Sequence, residues 1–158
     1  MNPVRPPLLP SNAAAGDARR ELLAQHADIL ERVTEARAAL LQGEIDTARE
    51  GLRQLEALLL AHAACEEAEW IPRLDATARW PARVYLAEHR QIASMLANLQ
   101  KWVATLPARL HSPAKRLRIV DSTLPFLHVL EHHFEREEQG LFDDEPDQVP
   151  ATPWPSEP

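Results

Sequence analysis

The apolar residues of this chain recur every three or four positions through four long stretches. That spacing is the period of an α-helix that buries one face and leaves the other in water. It predicts helices over about 16–41, 45–71, 80–106 and 112–142, joined by short links. Long helices with short links lie antiparallel to their neighbours, so we expect an all-α fold, an up-down-up-down antiparallel four-helix bundle.

Glycine and proline mark where the predicted helices begin and end. Gly43 closes the first helix and Pro72 stops the second, while Pro81 lies in the first turn of the third. Ser112, which precedes a proline, suits the N-cap of the fourth. Pro125 lies inside that fourth stretch, so we expect a kink or a break there.

The two ends of the chain lack the helical pattern and are rich in proline. We predict a flexible tail over residues 1–15, a folded domain over 16–142 and a second, acidic tail over 143–158. Trp154 lies in the second tail and could dock on a partner or on the domain. Its proline-rich surroundings favour a solvated tail.

Composition and charge narrow the classes of protein to consider. Apolar residues make up 45% of the 158, with only 4 glycines, which favours a helical globular domain. A formal charge of −7 argues against nucleic acid and anionic membranes as partners. No apolar run approaches the roughly 20 residues that span a bilayer, and no signal peptide is evident. The single cysteine, Cys65, fits a reducing compartment, so we expect a cytoplasmic protein.

Each predicted helix places one histidine on its apolar face. A helical wheel puts these side chains on the inward stripe, and two of them are followed four residues later by an inward glutamate: His26, His62 with Glu66, His89, and His133 with Glu137. His128 and His132 fall on the opposite face of the fourth helix, which favours a plain surface pair. His111 lies in a predicted loop.

Burying two carboxylates and four imidazoles among leucines costs several kcal/mol for each unpaired ion. Arg37 is the only basic residue that the helical wheel places on an inward face, and it lies far along the first helix from His26. Metal cations remove the cost, because a histidine and a glutamate one turn apart can share an ion and a carboxylate can bridge two. Imidazole with carboxylate suits iron, manganese or zinc. The sequence therefore predicts a metal site inside the bundle.

The motifs resemble those of hemerythrin-like domains, in the branch named for its His-His-Glu cation-binding signature. The resemblance covers about residues 17–142 and rests on four stretches: Leu22–Leu30 around His26, His62-Ala-Ala-Cys-Glu66-Glu67, Glu88-His89, and His133-Phe-Glu-Arg-Glu137-Glu138 with Leu141-Phe142 after it. It implies a carboxylate-bridged, non-haem pair of iron ions. The four histidines would then be terminal ligands, and Glu66 and Glu137 would bridge.

The third helix departs from the pattern of the oxygen-carrying members of that family. They have a second histidine one turn from the first, whereas Tyr85 and Ala93 lie one turn either side of His89. The fourth-helix motif also ends in Glu137 rather than in a differently spaced aspartate. These differences point to relatives in iron–sulfur repair, nitric oxide response, iron sensing or peroxide handling.

Four functions remain open from the sequence, and it does not decide whether the protein is an enzyme. The first is a di-iron protein that binds or reacts with oxygen, peroxide or nitric oxide. The second is a labile iron store, donor or sensor, and the third is a di-iron oxygenating enzyme with an organic substrate. The fourth is an interaction bundle with a vestigial site. The oligomeric state and any protein partner stay open as well.

Several residues near the predicted ligands have two readings. Tyr85 could hydrogen-bond near the site or simply fill the core. Glu67 and Glu138 are expected to be solvated, although either could orient a ligand. Cys65 is expected to be a packed thiol rather than a ligand or a redox switch.

Overall fold

In a computed structural model, the described part of the chain runs from residue 12 to residue 141 and is helical, with no strand. The predicted all-α class is therefore confirmed for these residues. No helix among them is both long enough and apolar enough to cross a membrane. The elements are α1 (Asn12–Gln42), α2 (Ile45–Glu69), a short 3-10 helix (Ile71–Arg73), α3 (Ala82–Ala104), α4 (Pro113–Ser122) and α5 (Leu124–Gly140).

The helix ends lie close to the predicted ones. α1 begins at Asn12, four residues before the expected start at Gly16. Three alanines precede Gly16, and their high helix propensity extends the helix toward the N-terminus. Pro72 ends the α-helical part of the second stretch, and the chain tightens there into the 3-10 helix. The predictions for residues 1–11 and 142–158, which include Trp154, lie outside the described residues.

The predicted break at Pro125 is confirmed. α4 ends at Ser122 and α5 begins at Leu124, which places Pro125 in the first turn of a new helix, where its missing N–H costs nothing. Thr123 sits at the junction and its hydroxyl donates to the carbonyl of Val120 at 2.6 Å. The same hydroxyl accepts a hydrogen bond from Arg37 Nε at 3.0 Å. The inward-facing arginine is thus held by the helix junction and not by a buried carboxylate.

The helices pack so that a polar layer lies between two apolar clusters. α1 packs on α2 and α4, and α3 packs on α2 and α5. The larger cluster includes Leu40, Leu55 and Leu130, and the smaller one consists of Ile71, Tyr85 and Leu141 with their neighbours. Along α2, α3 and α5 the predicted site residues fall between these clusters. Both apolar clusters therefore shield the layer from water.

Gly43 turns the chain from α1 into α2 with a backbone φ of +76°. Its carbonyl accepts a hydrogen bond from the Leu110 amide at 2.9 Å, and a Cβ here would collide with the Leu110 carbonyl oxygen. We expect Gly43→Ala to lower the free energy of unfolding by more than about 1 kcal/mol, because both the left-handed backbone and the clash oppose the side chain. Urea unfolding monitored by circular dichroism measures the change.

Gly51 provides the matched control. It lies inside α2, where an added Cβ would meet the Ala36 Cβ at an ordinary contact distance of 3.5 Å. Gly51→Ala should raise the free energy of unfolding by up to about 1 kcal/mol, because alanine is the better helix former. If Gly43→Ala were as stable as Gly51→Ala, the account of the α1–α2 turn would be wrong.

Candidate metal centre

All six side chains that the sequence predicts as ligands meet in the polar layer. α1 contributes His26, α2 contributes His62 and Glu66, α3 contributes His89, and α5 contributes His133 and Glu137. Each of the six side chains is at most 7% exposed. The helical phase inferred from the apolar pattern therefore holds at every one of these positions.

The six side chains form two groups that share both carboxylates. One group consists of His26, His62, Glu66 and Glu137, and the other of His89, His133, Glu66 and Glu137. Within each group, one nitrogen or oxygen from every residue lies within 4.8 Å of all the others. Each group could hold a metal ion, and the shared carboxylates would then lie between the two ions.

Glu137 divides its two carboxylate oxygens between the two groups. Its Oε2 lies 3.0 Å from Nε2 of His26 and 3.4 Å from Nε2 of His62. Its Oε1 lies 2.5 Å from Nε2 of His133 and 3.4 Å from Nε2 of His89. One oxygen per histidine pair is the arrangement that a bridging carboxylate requires.

Glu66 spans the two groups in the same way. Its Oε2 lies 3.2 Å from His89 Nε2, and its Oε1 lies 3.4 Å from His62 Nε2. That Oε1 atom is buried and accepts no hydrogen bond from the described residues. A buried carboxylate oxygen without a donor is costly, and a cation at this position would remove the cost. The orphaned oxygen therefore fits a metal ion.

A ring of outer hydrogen bonds fixes the orientation of all four imidazoles. Every one of these outer contacts joins a histidine Nδ1 to a side-chain oxygen of a different helix: His26 to Glu138 (2.8 Å), His62 to Gln25 (3.0 Å), His89 to Glu67 (2.8 Å) and His133 to Glu88 (3.0 Å). The oxygens accept, so each Nδ1 carries the proton and donates. Each Nε2 faces the carboxylates, to which it donates while it holds a proton, and it becomes free to bind a metal ion once that proton is displaced.

These four hydrogen bonds form a closed ring that joins four helices. A side chain of α1 accepts from the histidine of α2, one of α2 from that of α3, one of α3 from that of α5, and one of α5 from that of α1. Glu67 and Glu138 were expected to be solvated. Their side chains are 45% and 36% exposed, yet each accepts a hydrogen bond from a histidine. They therefore orient the site from its rim.

Sequence reasoning missed the other two members of the ring, Gln25 and Glu88. Each directly precedes a site histidine in the chain but bonds to the site histidine of a neighbouring helix. The sequence feature that could have identified them is a polar residue directly before a core-facing histidine. Glu88 is itself held by Arg136, which contacts its other oxygen and lies over the Trp80 ring at 5.4 Å.

Without a bound metal ion, the two carboxylates of the centre differ in charge. Burial would raise the pKa of Glu137, but hydrogen bonds from His133, His26, His62 and His89 outweigh it and hold the pKa well below 4.5. Burial raises the pKa of Glu66 far above 4.5, and the neighbouring Glu137 charge raises it further. One carboxylate is therefore ionised while the other retains its proton, so a cation would have to displace that proton.

The imidazoles respond to the same environment in opposite directions. Burial lowers the pKa of His62, and its hydrogen bond to Glu137 only partly offsets this. Burial also acts against the charged form of His89, but hydrogen bonds to Glu137, Glu66 and Glu67 outweigh it and raise the pKa to about 10. His89 thus holds a proton tightly against a competing cation, whereas His62 does not.

The other histidines and the cysteine are not among the six site residues, and His128 and His132 lie on the exposed face of α5, as the wheel predicted. The side chains of His128 and His132 are 67% and 73% exposed and lie near glutamates of their own helix. His111 is exposed in the segment between α3 and α4. Cys65 is half-buried, and burial raises the pKa of its thiol, which disfavours the reactive thiolate.

Tyr85 lies one turn before His89 and is fully buried, with no hydrogen-bond partner for its hydroxyl among the described residues. Burial and the negative charge of Glu137 raise its pKa to about 12. We expect Tyr85→Phe to keep its metal and to gain up to about 1 kcal/mol of stability, because it removes an unsatisfied buried group. Denaturant unfolding tests this, and a loss of more than about 1 kcal/mol would mean that the hydroxyl is hydrogen-bonded.

Comparisons with protein-family models, with curated proteins and with solved structures find no match to this chain. The chemistry of the centre follows from its own donor set of four imidazoles and two carboxylates. Neutral imidazole nitrogen and carboxylate oxygen together suit iron, manganese and zinc, whereas sites for magnesium or calcium are built from oxygen alone.

Proposed function

We propose that this chain is a non-haem di-iron protein of the hemerythrin-like class that binds or reacts with oxygen, peroxide or nitric oxide. In this proposal the helices form an up-down-up-down antiparallel four-helix bundle around the centre. The observation that carries the proposal is the sharing of Glu66 and Glu137 between two pairs of buried histidines. A single ion would need only one of the two groups, so a shared pair of carboxylates favours two ions.

Each ion would have two histidines of its own. His26 and His62 would hold one ion, His89 and His133 would hold the other, and both carboxylates would bridge. Six protein ligands for two ions leave positions to which a small molecule can bind. When bound, a ferrous pair supplies electrons to an incoming oxidant or a binding position for nitric oxide.

The protein contributes orientation and the exclusion of water. The outer ring of hydrogen bonds holds each Nε2 toward the carboxylates, so the imidazoles need no reorganisation to accept a cation. Phe134 stacks on the His26 ring with centroids 3.9 Å apart and meets the edge of His62 at 5.6 Å. The Phe134 ring is itself buried, so it keeps water from the faces of these two imidazoles that it covers.

Metal binding should strengthen as the pH rises, because the ions must displace protons held by Glu66 and His89. Both groups have raised pKa values, so both retain protons near neutral pH. Each displaced proton makes the affinity rise about tenfold per pH unit, a trend that continues toward the His89 pKa of about 10. Two displaced protons over two pH units correspond to a rise of about 10,000-fold between pH 6 and pH 8.

Zinc is a suitable probe for this pH dependence because it has no redox chemistry. Competition with a chromophoric chelator gives the affinity at each pH, and a pH indicator in weak buffer counts the protons released. A chelator titration without protein corrects for the chelator's own protonation. An affinity that does not change between pH 6 and pH 8 would show that the centre holds no displaceable proton.

The reactivity of the ferrous protein tests the proposed function directly. After anaerobic loading, the protein is mixed in turn with oxygen, hydrogen peroxide and nitric oxide while the absorption spectrum is followed. We expect a rapid spectral change with at least one of them, with the iron retained. Iron that passes quickly to a chelator and reacts with none of the three would instead indicate a labile store, donor or sensor.

A further inference from the structure

A small cavity reaches the polar layer between α2 and α3. Its volume is about 60 Å³, and its lining includes the three histidines His62, His89 and His133. The fourth, His26, does not line it and is covered instead by the stacked Phe134 ring. The cavity therefore meets both histidines of the His89–His133 group and one histidine of the other pair.

The rest of the cavity wall is almost entirely aliphatic. Leu59, Ile92 and Leu96 line its interior, and Leu60, which is 59% exposed, lines it nearer the protein surface. Glu56 is the one charged residue outside the predicted ligands to line it, and its carboxylate accepts a hydrogen bond from Gln100 at 3.2 Å. A wall of this composition favours apolar occupants, and the glutamate disfavours anions.

The size of the cavity limits what it can hold. Pockets for drug-sized organic ligands measure about 300–1,000 Å³, several times the volume here. A site of about 60 Å³ has room for a molecule of two or three heavy atoms. A drug-sized organic molecule therefore does not fit in this cavity, whereas a diatomic molecule does.

Two alanines keep the cavity open. Ala63 follows His62 on α2, and Ala93 lies one turn after His89 on α3, and both line the space. A longer side chain at either position would project into the volume that the diatomic molecule needs. These residues are therefore the points at which access to the centre can be changed without touching a predicted ligand.

We propose that this cavity is the binding and entry site for a neutral, apolar diatomic molecule, of the chemical class of dioxygen and nitric oxide. Ala63 and Ala93 set its width, and the molecule reaches the ions from the His89–His133 side. The cavity itself is independent of metal, but its role as an entry route rests on the proposed di-iron function. Hydrogen peroxide is too polar for the aliphatic wall to favour it.

Xenon tests the cavity separately from the metal. Xenon binds dry apolar cavities of suitable size, and its nuclear magnetic resonance shift reports binding in solution. We expect a specific xenon site both before and after iron loading. Ala63→Leu should abolish it, whereas Ala64→Leu, on the exposed face of the same helix, should keep it. A native protein with no specific xenon site would overturn the proposal.

The entry route is tested by the rates at which oxygen and nitric oxide react with the ferrous protein. Ala63→Leu should slow the reaction at least tenfold while the iron content stays at the native level, and Ala64→Leu should leave the rate unchanged. If both gases slow, the cavity serves both, and if only one slows, it serves that one. Unchanged rates for both gases would overturn the entry role.

Ala93→Leu provides a second test of the cavity in case Ala63→Leu fails to fold. Ala93 is exposed on α3, where leucine is well tolerated, and Ala87→Leu on the same helix is its matched control. Loss of xenon binding in Ala93→Leu but not in Ala87→Leu supports the cavity assignment even if the chain binds no iron. Retention of two irons without a xenon site would leave the di-iron proposal standing and remove this one.

Discussion

Glu137→Ala is expected to abolish the binding of both metal ions, because this carboxylate contacts all four histidines of the centre. Its two oxygens serve the two histidine pairs separately, and it is fully buried. Replacement of an outer hydrogen-bond partner alone typically costs 10- to 100-fold in metal affinity, so loss of a bridging ligand should cost more than about 100-fold for each ion. Metal analysis after desalting measures the loss.

The controls for Glu137→Ala come from the exposed face of the same helix. Glu135 is 64% exposed and its carboxylate pairs with the surface residue His132, so Glu135→Ala should bind metal as the native protein does. His128→Ala and His132→Ala should also retain it. Glu66→Ala should resemble Glu137→Ala, since both carboxylates are shared. If the surface variants lost metal while Glu137→Ala kept it, the centre would have been placed on the wrong face of α5.

The second large effect is on stability, which we expect to rise by several kcal/mol when two equivalents of metal are bound. Without cations the fold buries two carboxylates side by side, and Glu66 keeps its proton. Binding to the folded state alone stabilises it by RT ln(1 + [L]/Kd), about 4 kcal/mol per site at a free concentration 1,000 times Kd. Denaturant unfolding under anaerobic conditions, with and without ferrous iron, measures the gain.

The same comparison in Glu137→Ala shows whether the gain belongs to the centre. That variant should unfold at the same denaturant concentration with and without iron, because it cannot hold the pair. A native protein with equal stability in both conditions would contradict the di-iron proposal. Equal stability would favour the hypothesis that the protein is an interaction module with a vestigial metal site.

The apolar period of the sequence was enough to place every ligand candidate, because a helix fixes the direction of a side chain by its phase. His133 and Glu137 share a face with Leu130, whereas His128 and His132 lie opposite, and the structure keeps that division. The break near Pro125 was predictable for a similarly local reason, since proline removes a hydrogen bond and clashes within its own turn.

The outer ring and the cavity could not be predicted in this way, because both depend on how neighbouring helices are rotated and shifted against each other. Gln25 precedes His26 but bonds to His62, and Glu88 precedes His89 but bonds to His133. The pairing of Arg37 with Thr123 likewise joins positions on two helices. Phase along one helix carries no information about such cross-helix distances.

The number of metal ions bound per chain is the most direct test of a two-ion centre. The protein would be reconstituted anaerobically with ferrous iron, freed of excess metal by desalting and analysed for iron and protein, with parallel samples in manganese and zinc. We expect two ions per chain in the native protein and almost none in Glu137→Ala. No bound ion, or a single ion that survives in Glu137→Ala, would contradict a two-ion centre.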